Sequence, residues 1–395
     1  LIRLYSNGVD DDGNGYIDDI AGWDFFENDN DPDDDTGFNH GSNRAIDQVG
    51  EANNGIGFPG VAPSAMFVPI RVSDSFIVAD SDFTQGVVYA VDLGLSLISV
   101  ALGSITVSPS AQGAVDYAYW RGIPVIASAA DEQSRHNNYP AALEHTIWVN
   151  SIRNGDGAII QNTNDYTILN GCTNYGPNAW ISIPSTGCSS EAVGRASGLT
   201  ALLISHAKNL VDRGRMQPYP GLSAPLSAQE IRQLLRQSSQ DINHSADPDL
   251  DMPFLLWAIL RDFDSEHFPT QAGWDQYTGY GRPNAVTLLT LLPDKIPPEA
   301  DLSGGLDWFA TVDPSRTSQV PIIGSARAVR ASSFTYTVEC GCGVQPTQFE
   351  LIASGNSVEA LDDALLGYWD PAATARRCNF DPSARMHGPE DHSVT

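Results

Sequence analysis

The chain has 395 residues, 42% of them hydrophobic, with 35 glycines and 25 prolines, which suits one large domain plus a smaller one. Its 21 basic and 49 acidic residues give a formal charge of −28 and a pI near 4.3, a balance that repels a phosphate backbone and makes nucleic acid a poor partner. No apolar run reaches the roughly 18–20 residues of a membrane span.

Residues 1–40 are rich in Asp, Asn and Gly and read as loop. Within them DDDGNGYIDD (residues 10–19) sets Asp10, Asp12 and Asn14 at alternate positions, with Gly15 next. Oxygen ligands at loop positions 1, 3 and 5 with glycine at 6 suit calcium, because the glycine lets the chain curl round the ion. The expected ligand set is Asp10, Asp12, Asn14, Tyr16, Asp18 and Asp19. Position 12 is Ala21, so this is not an EF-hand. ENDNDPDDDTG (residues 27–37) reads as a solvated acidic surface.

From about 58 to 150, strand and helix patterns alternate. PSAMFVPIRV reads as a strand and DFTQGVVYAVDLG as a helix ending at Gly94. LSLISVALG is a strand, PSAQGAVDYAYWRG a helix ending at Gly122, IPVIASAA a strand and HTIWVNSI another. Short apolar strands separated by helices imply right-handed crossovers and a mostly parallel sheet with helices on both faces. A long helix from about 190 to 210 and LSAQEIRQLLRQSS add an outer layer. LLPDKIPPEADLSG (residues 291–304) carries three prolines and reads as a linker. SSFTYTVECG and TQFELIAS beyond it alternate like strands, so residues 305–395 are expected to hold a small β-rich domain with a loose end at RMHGPEDHSVT. Of the five cysteines, Cys172 and Cys188 could bridge beside the serine segment; Cys340-Gly-Cys342 has no redox or zinc spacing and receives no assignment.

Three separated pieces carry the chemistry. His40 stands before a glycine in NHGSNRAIDQVG. Asp131 follows the strand VIASAA, at the carboxyl edge where parallel sheets place their ligands. Ser190 lies in GCSSEAVGRASGLTALL at the start of a helix, whose N–H groups favour developing negative charge. Locally, Ser189 and Ser190 read equally as helix caps. Histidine with serine is what nucleophilic acyl transfer requires, since imidazole takes the hydroxyl proton near neutral pH.

The order of these pieces resembles that of the subtilisin-like serine proteases (subtilases), over about 290 residues. DDDGNGYIDDIAGWDF followed by His40-Gly41-Ser42 is similar to the family's acidic loop and its His-Gly-Thr-His-Val-Ala-Gly. NNGIGFPGVAPSA resembles the NN-x-x-G-x-x-GVAP-x-A segment, ALG (101–103) the SLG strand, SAAD (128–131) the AAGN turn, and NYGP is shared. SSEAVGRASGLTALL follows the pattern Thr-Ser-x-Ala-x-Pro-x-x-Ala-Gly.

The resemblance implies a domain at 1–290 lacking its N-terminal part, with His40 as general base and Ser190 as nucleophile. Asp131 stands where the family keeps an oxyanion-hole asparagine. Ala101, Leu102, Gly103, Ser128, Ala129 and Ala130 would line the cleft for a polypeptide. The implied protein is a secreted or extracytoplasmic endopeptidase, with calcium as a structural ion.

The departures fall at the chemistry. The triad aspartate lies on a strand upstream of the acidic loop in the family, and losing its equivalent lowers activity about 10⁴-fold. Asp47 sits two helical turns from His40, roughly 10 Å along the axis, too far to orient the imidazole. A carboxylate at 131 in place of an amide removes a donor worth about 3–4 kcal/mol. Asn43 and Arg44 replace His-Val, and Gly194 replaces proline. An alternative is therefore a catalytically impaired subtilase-fold pseudoenzyme that binds peptides.

Overall fold

The computed structural model describes residues 6–34, 37–104, 106–154, 166–245, 270–303, 306 and 310–379. The terminal stretch RMHGPEDHSVT lies outside them. Chain order begins with β1 (Trp23–Asp24), inside the stretch read as loop, then α1 (His40–Val49) and β2 (Ile70–Arg71). β1 and β2 pair in parallel, Trp23 opposite Ile70, and a 2.5 Å ion pair between Arg71 and the buried Asp24 holds them.

The main sheet follows: α2 (Asp80–Asp92), β3 (Ile98–Val100), α3 (Pro109–Trp120), β4 (Val125–Ser128), β5 (Thr146–Arg153), β6 (Ile168–Leu169), β7 (Ala179–Pro184) and α4 (Ser189–Asp212). β3, β4, β5 and β7 are parallel neighbours in that order, and the short β6 is antiparallel to the end of β5. Side-chain alternation explains the double-sided burial. Val125, Ala127 and Trp148 face α2 and α3, while Ile126, Ile147, Val149 and Ile181 face α4. Gly94 (φ 69°) and Gly122 (φ 79°) lie in the left-handed region just past α2 and α3, which only glycine enters without strain.

Beyond α4 come α5 (Ala228–Gln237), β8 (Ser239–Gln240), β9 (Arg282–Pro283) and α6 (Ala285–Thr290). α5 opens with a capping box in which Ser227 and Glu230 satisfy each other's backbone N–H. The final part holds β10 (Glu299–Ser303), β11 (Val320–Arg327), β12 (Phe334–Gly341), β13 (Phe349–Ser357), β14 (Leu361–Trp369) and α7 (Pro371–Arg377). β10, β11 and β14 form an antiparallel sheet, β12 and β13 a hairpin, and Cys342 bridges to Cys378 past α7. Cys340 stays a buried thiol.

The segment read as a linker from its prolines thus carries β10 at its far end. β10 also docks the C-terminal sheet on the body. Asp301 accepts from Tyr119 and pairs with His145 Nε2 at 2.8 Å, and Glu299 accepts from Tyr219 at 2.7 Å and from Ser227. Arg330 adds a two-pronged pair to the buried Glu230, at 2.6 and 2.9 Å, and also donates to the Gln217 and Pro225 carbonyls.

Candidate active site

α4 opens with both serines in its first turn, Ser189 buried and Ser190 half-buried. Ser189 donates its Oγ to Asp131 Oδ1 at 2.6 Å and its backbone N–H to the same oxygen at 2.9 Å. Asp131 thereby does the capping that Cys188, at the N-cap position, does not, and its negative charge suits the helix dipole. Lost hydration pushes the Asp131 carboxyl up, against the pull of the two Ser189 bonds. The Ser190 hydroxyl has no hydrogen-bond partner among the described residues. Of the two neighbouring serines, Ser189 alone is engaged by the cap.

The turn carrying Asp131 is tightly held. Ala130 adopts φ 67°, where the family motif has glycine. The Asn174 amide N–H donates to the Ala130 carbonyl at 2.9 Å, and its side-chain oxygen accepts from the Glu132 and Ser134 N–H groups at 3.0 and 3.2 Å. The Cys172–Cys188 disulfide ties this neighbourhood to the start of α4.

His40 is the first residue of α1, after Asn39 in the left-handed region. Its ring stands edge-on to Phe76 at 4.7 Å and tilted against Phe38 at 5.8 Å. Burial lowers its pKa and the Arg44 guanidinium one turn on lowers it further, so the imidazole is neutral at neutral pH, the form a general base needs. Among the described residues no hydrogen bond joins this ring to Ser190 or to a carboxylate.

α1 nevertheless packs closely on α4. A Cβ on Gly194 would come within 2.9 Å of Asp47 Cβ, and one on Gly198 within 3.1 Å of the Gln48 carbonyl. Charge lines this contact. Arg44 pairs with Asp47 at 3.2 Å, and Glu191 pairs with Arg195 while accepting from Thr186 N–H at 3.1 Å. Arg195 also donates to the Pro184 carbonyl at 2.6 Å.

Two of the residues expected to line a cleft, Leu102 and Ser128, are linked by a side chain the sequence did not single out. Asn138 Nδ2 reaches the Leu102 and Ser128 carbonyls at 3.5 and 3.4 Å, linking the ends of β3 and β4. Gly103 must be glycine, because a Cβ would overlap the Asn138 amide at 2.0 Å. The Gly103 backbone is also occupied: its N–H donates to the Phe76 carbonyl at 2.8 Å and its carbonyl accepts from Val78 at 3.2 Å. Phe76 thus meets both His40 and Gly103. Its only sequence signal was the short apolar run FIV before α2.

In the acidic loop, Asp10 accepts from the N–H groups of Gly13, Asn14 and Gly15, at 2.8, 3.1 and 2.8 Å, and the Gly15 bond leads in lowering its pKa. Asp12 Oδ1 accepts from the Asn14 N–H at 3.2 Å. Asp18 accepts from Asn7 and Gly8, and Asp19 from Asn14 Nδ2 and Tyr89. The Tyr16 side chain packs among Trp23, Phe25 and Tyr89. No three His, Cys, Asp or Glu side chains converge as a metal cluster among the described residues. The donors are nonetheless of the hard-oxygen type calcium takes, and an oxygen accepting one N–H keeps a second lone pair.

A mostly parallel sheet covered on both faces, with a serine in the first turn of one long helix and a histidine opening the helix packed on it, defines the class: a doubly covered α/β protein. The chain belongs to the subtilase family, since a family model described as "Subtilase family" matches residues 3–281.

Among its relatives are the "Thermophilic serine proteinase" of Bacillus sp. (strain AK1), 30% identical over 231 residues, covering 53% of each chain. "Thermitase" of Thermoactinomyces vulgaris is 29% identical over 201 residues, covering 48% of this chain and 69% of that one. The chain spans about half the length of the first of these relatives. Among solved structures, "Crystal Structure of a Lanthipeptide Protease" matches at 18% identity and a TM-score of 0.48, over 69% of this chain and 80% of that one.

Proposed function

We propose that this chain carries the serine and histidine of a subtilisin-like endopeptidase, with Ser190 as nucleophile and His40 as general base, acting on polypeptide. The observation that supports this most is the division of labour at the start of α4. Asp131 takes the capping role through Ser189, which leaves the Ser190 hydroxyl unengaged beside the helix N-terminus. Attack by Ser190 Oγ on a peptide carbonyl passes its proton to the neutral His40 ring, which returns it to the leaving amine. The Ser190 backbone N–H lies at the helix start, where developing oxyanion charge is favoured.

Turnover is slow in this reading. Among the described residues no carboxylate hydrogen-bonds to His40, and Asp131 offers its oxyanion side an acceptor where an amide donor would help. The second reading, a peptide-binding pseudoenzyme, is favoured by the Gly103 backbone being already bonded to Phe76 and Val78.

A fluorophosphonate probe tests the choice. The expected result is slow covalent labelling that disappears in Ser190→Ala and falls in His40→Ala. Labelling that survives Ser190→Ala, or no labelling at all with peptide binding intact, replaces the peptidase reading by the second. Two further parts belong to the proposal. Calcium would be held by the oxygens of Asp10, Asp12, Asn14, Asp18 and Asp19 with the Tyr16 carbonyl, clamping the loop onto the Tyr16–Trp23–Tyr89 cluster; a melting temperature unmoved by chelator removes it. The protein works outside the cytoplasm, a reading supported by its two disulfides.

A further inference from the structure

A cavity of about 140 Å³ lies where the C-terminal sheet docks on the body, and neither Ser190 nor His40 lines it. Tyr119, Trp120, Tyr219 and Leu222 give it an aromatic and apolar side. Glu299, Ala300 and Asp301 of β10, with Gln229 at the start of α5, give it a polar one. Its size is comparable to the ~150 Å³ cavity that holds benzene, so it takes a group of roughly six non-hydrogen atoms.

The polar side is short of donors and of positive charge. Glu299 is 8% exposed and accepts from two neutral hydroxyls, Tyr219 Oη at 2.7 Å and Ser227 Oγ. Among the described residues it has no ion pair, although a buried carboxylate is normally paired. Gln229 is 2% exposed; its Nε2 donates to the Ala300 carbonyl at 2.6 Å, and its Oε1 is buried with no partner. The surrounding cations are already matched. His145 lies between Asp116 and Asp301, Arg327 pairs with Asp362, and Arg232 is within electrostatic reach of Asp301. Even with His145 charged, these three cations face those three carboxylates, and Glu299 remains in excess.

We propose that this cavity binds a primary alkylammonium group, carried either by a small free amine or by the side chain of a lysine. An ammonium has three donors and no acceptor. That suits a wall whose open positions are Gln229 Oε1 and the second lone pairs of the two Glu299 oxygens. The alkyl stem packs on Tyr119, Tyr219 and Leu222, and the charge is favoured near the Trp120 ring, over which Arg327 already lies at 5.2 Å.

A guanidinium fits less well. Its planar fork engages both oxygens of a carboxylate at once, and Tyr219 and Ser227 already take one position on each Glu299 oxygen. The walls come from α3, from the segment before α5 and from β10 and β11. An occupant therefore ties the C-terminal sheet to the body and stabilises the docked form.

Calorimetric titration of the full chain with n-butylammonium chloride, with n-butanol as the uncharged match, tests the site. The expected result is one saturable site in the millimolar range or tighter, at least tenfold stronger than for n-butanol, with a raised melting temperature. Glu299→Gln is expected to weaken binding at least tenfold. Because that change also touches the docking contacts of the sheet, Trp120→Leu, at a 46% exposed position, is the second variant. It is expected to lose threefold or more in affinity while keeping the melting temperature of the unliganded chain. Binding that does not saturate, or that is unaltered in both variants, is attraction to the acidic surface at large and overturns the site. Equal binding of n-butanol, or tighter binding of n-butylguanidinium, overturns it too. Nα-acetyl-lysine N-methylamide separates the two sources: affinity equal to or above that of n-butylammonium assigns the site to a lysine side chain, and lower affinity to a free amine, the alkylammonium site standing in either case. None of these readouts uses turnover, so this site and the Ser190 assignment fail separately.

Discussion

The two helices that carry Ser190 and His40 are built to different standards. α4, under Ser190, buries fourteen of its twenty-four residues against a sheet paired strand to strand. α1, behind His40, buries only Gln48 and leaves Ile46 53% exposed. The strand beside it, β2, extends for two residues, whereas β5 extends for eight. The difference follows from strand pairing. Where every edge has a neighbour, helices find a continuous apolar surface to cover; where an edge is unpaired, the helix above it has little to bury against. The C-terminal sheet widens the gap, because its contacts with Tyr119, His145, Tyr219 and Glu230 all brace the serine side.

The sharpest way to break this comparison is to make equivalent truncations in the two helices. Leu203→Ala, at a fully buried position of α4, is expected to lower stability by about 2–5 kcal/mol, while Ile46→Ala in α1 stays within about 0.5 kcal/mol. Denaturant unfolding of both variants checks it, and similar losses would mean α1 is packed as well as α4. Next, Arg330→Met strands the buried Glu230 carboxylate, which burial already pushes up in pKa against the pull of Arg330. A loss of about 2–3 kcal/mol is expected, with a drop in the thermal midpoint and early proteolysis between residues 291 and 320. An unchanged midpoint would show that the brace contributes nothing.

His145 gives the third effect, and it depends on pH. Burial opposes its charge, but hydrogen bonds to Asp116 and Asp301 outweigh burial and raise its pKa to about 9. A group raised above its ordinary 6.5 stabilises fully below that value and loses its contribution as pH climbs through about 9. The wild-type chain is therefore expected to lose on the order of 2 kcal/mol between pH 6.5 and 9, and His145→Gln to flatten that slope. Parallel slopes in thermal melts would remove His145 from the account. The smallest effect lies in the turn that carries Asp131, where Ala130→Gly relieves a left-handed alanine and raises stability by about 0.5–1 kcal/mol; a fall in the melting temperature would show that the turn is not strained.

Much of the serine side was legible in the sequence. IPVIASAA and HTIWVNSI are buried on both faces, so their apolar runs identify parallel strands without further context, and Gly94 and Gly122 mark helix ends because only a residue without Cβ sits easily there. The charge that Arg44 and Asp47 bring to α1 was also visible, and they pair as their spacing suggests. PSAMFVPIRV shortened to two strand residues because pairing, which no single segment encodes, is present on one edge only. The partners of Asp131 and of His145 were hidden for a related reason. Asp131 meets Ser189 across 58 positions, and His145 sits between Asp116 and Asp301, on an earlier helix and a later strand. Periodicity reports which face a residue turns inward and says nothing of the side chain it meets.

The pairing of Cys342 with Cys378, beside an unpaired Cys340, has a covalent consequence. Cys340 and Cys342 stand two positions apart, and Cys340 lies 3.2 Å from the guanidinium of Arg377, next in sequence to Cys378. Thiolate exchange can therefore pass the bridge from one cysteine to the other. A preparation reduced and then reoxidised is expected to contain two topological isomers at this end, distinguishable by mapping the disulfide-linked peptides. Cys172 and Cys188 have no such neighbouring competitor, so their end of the molecule reoxidises to a single species.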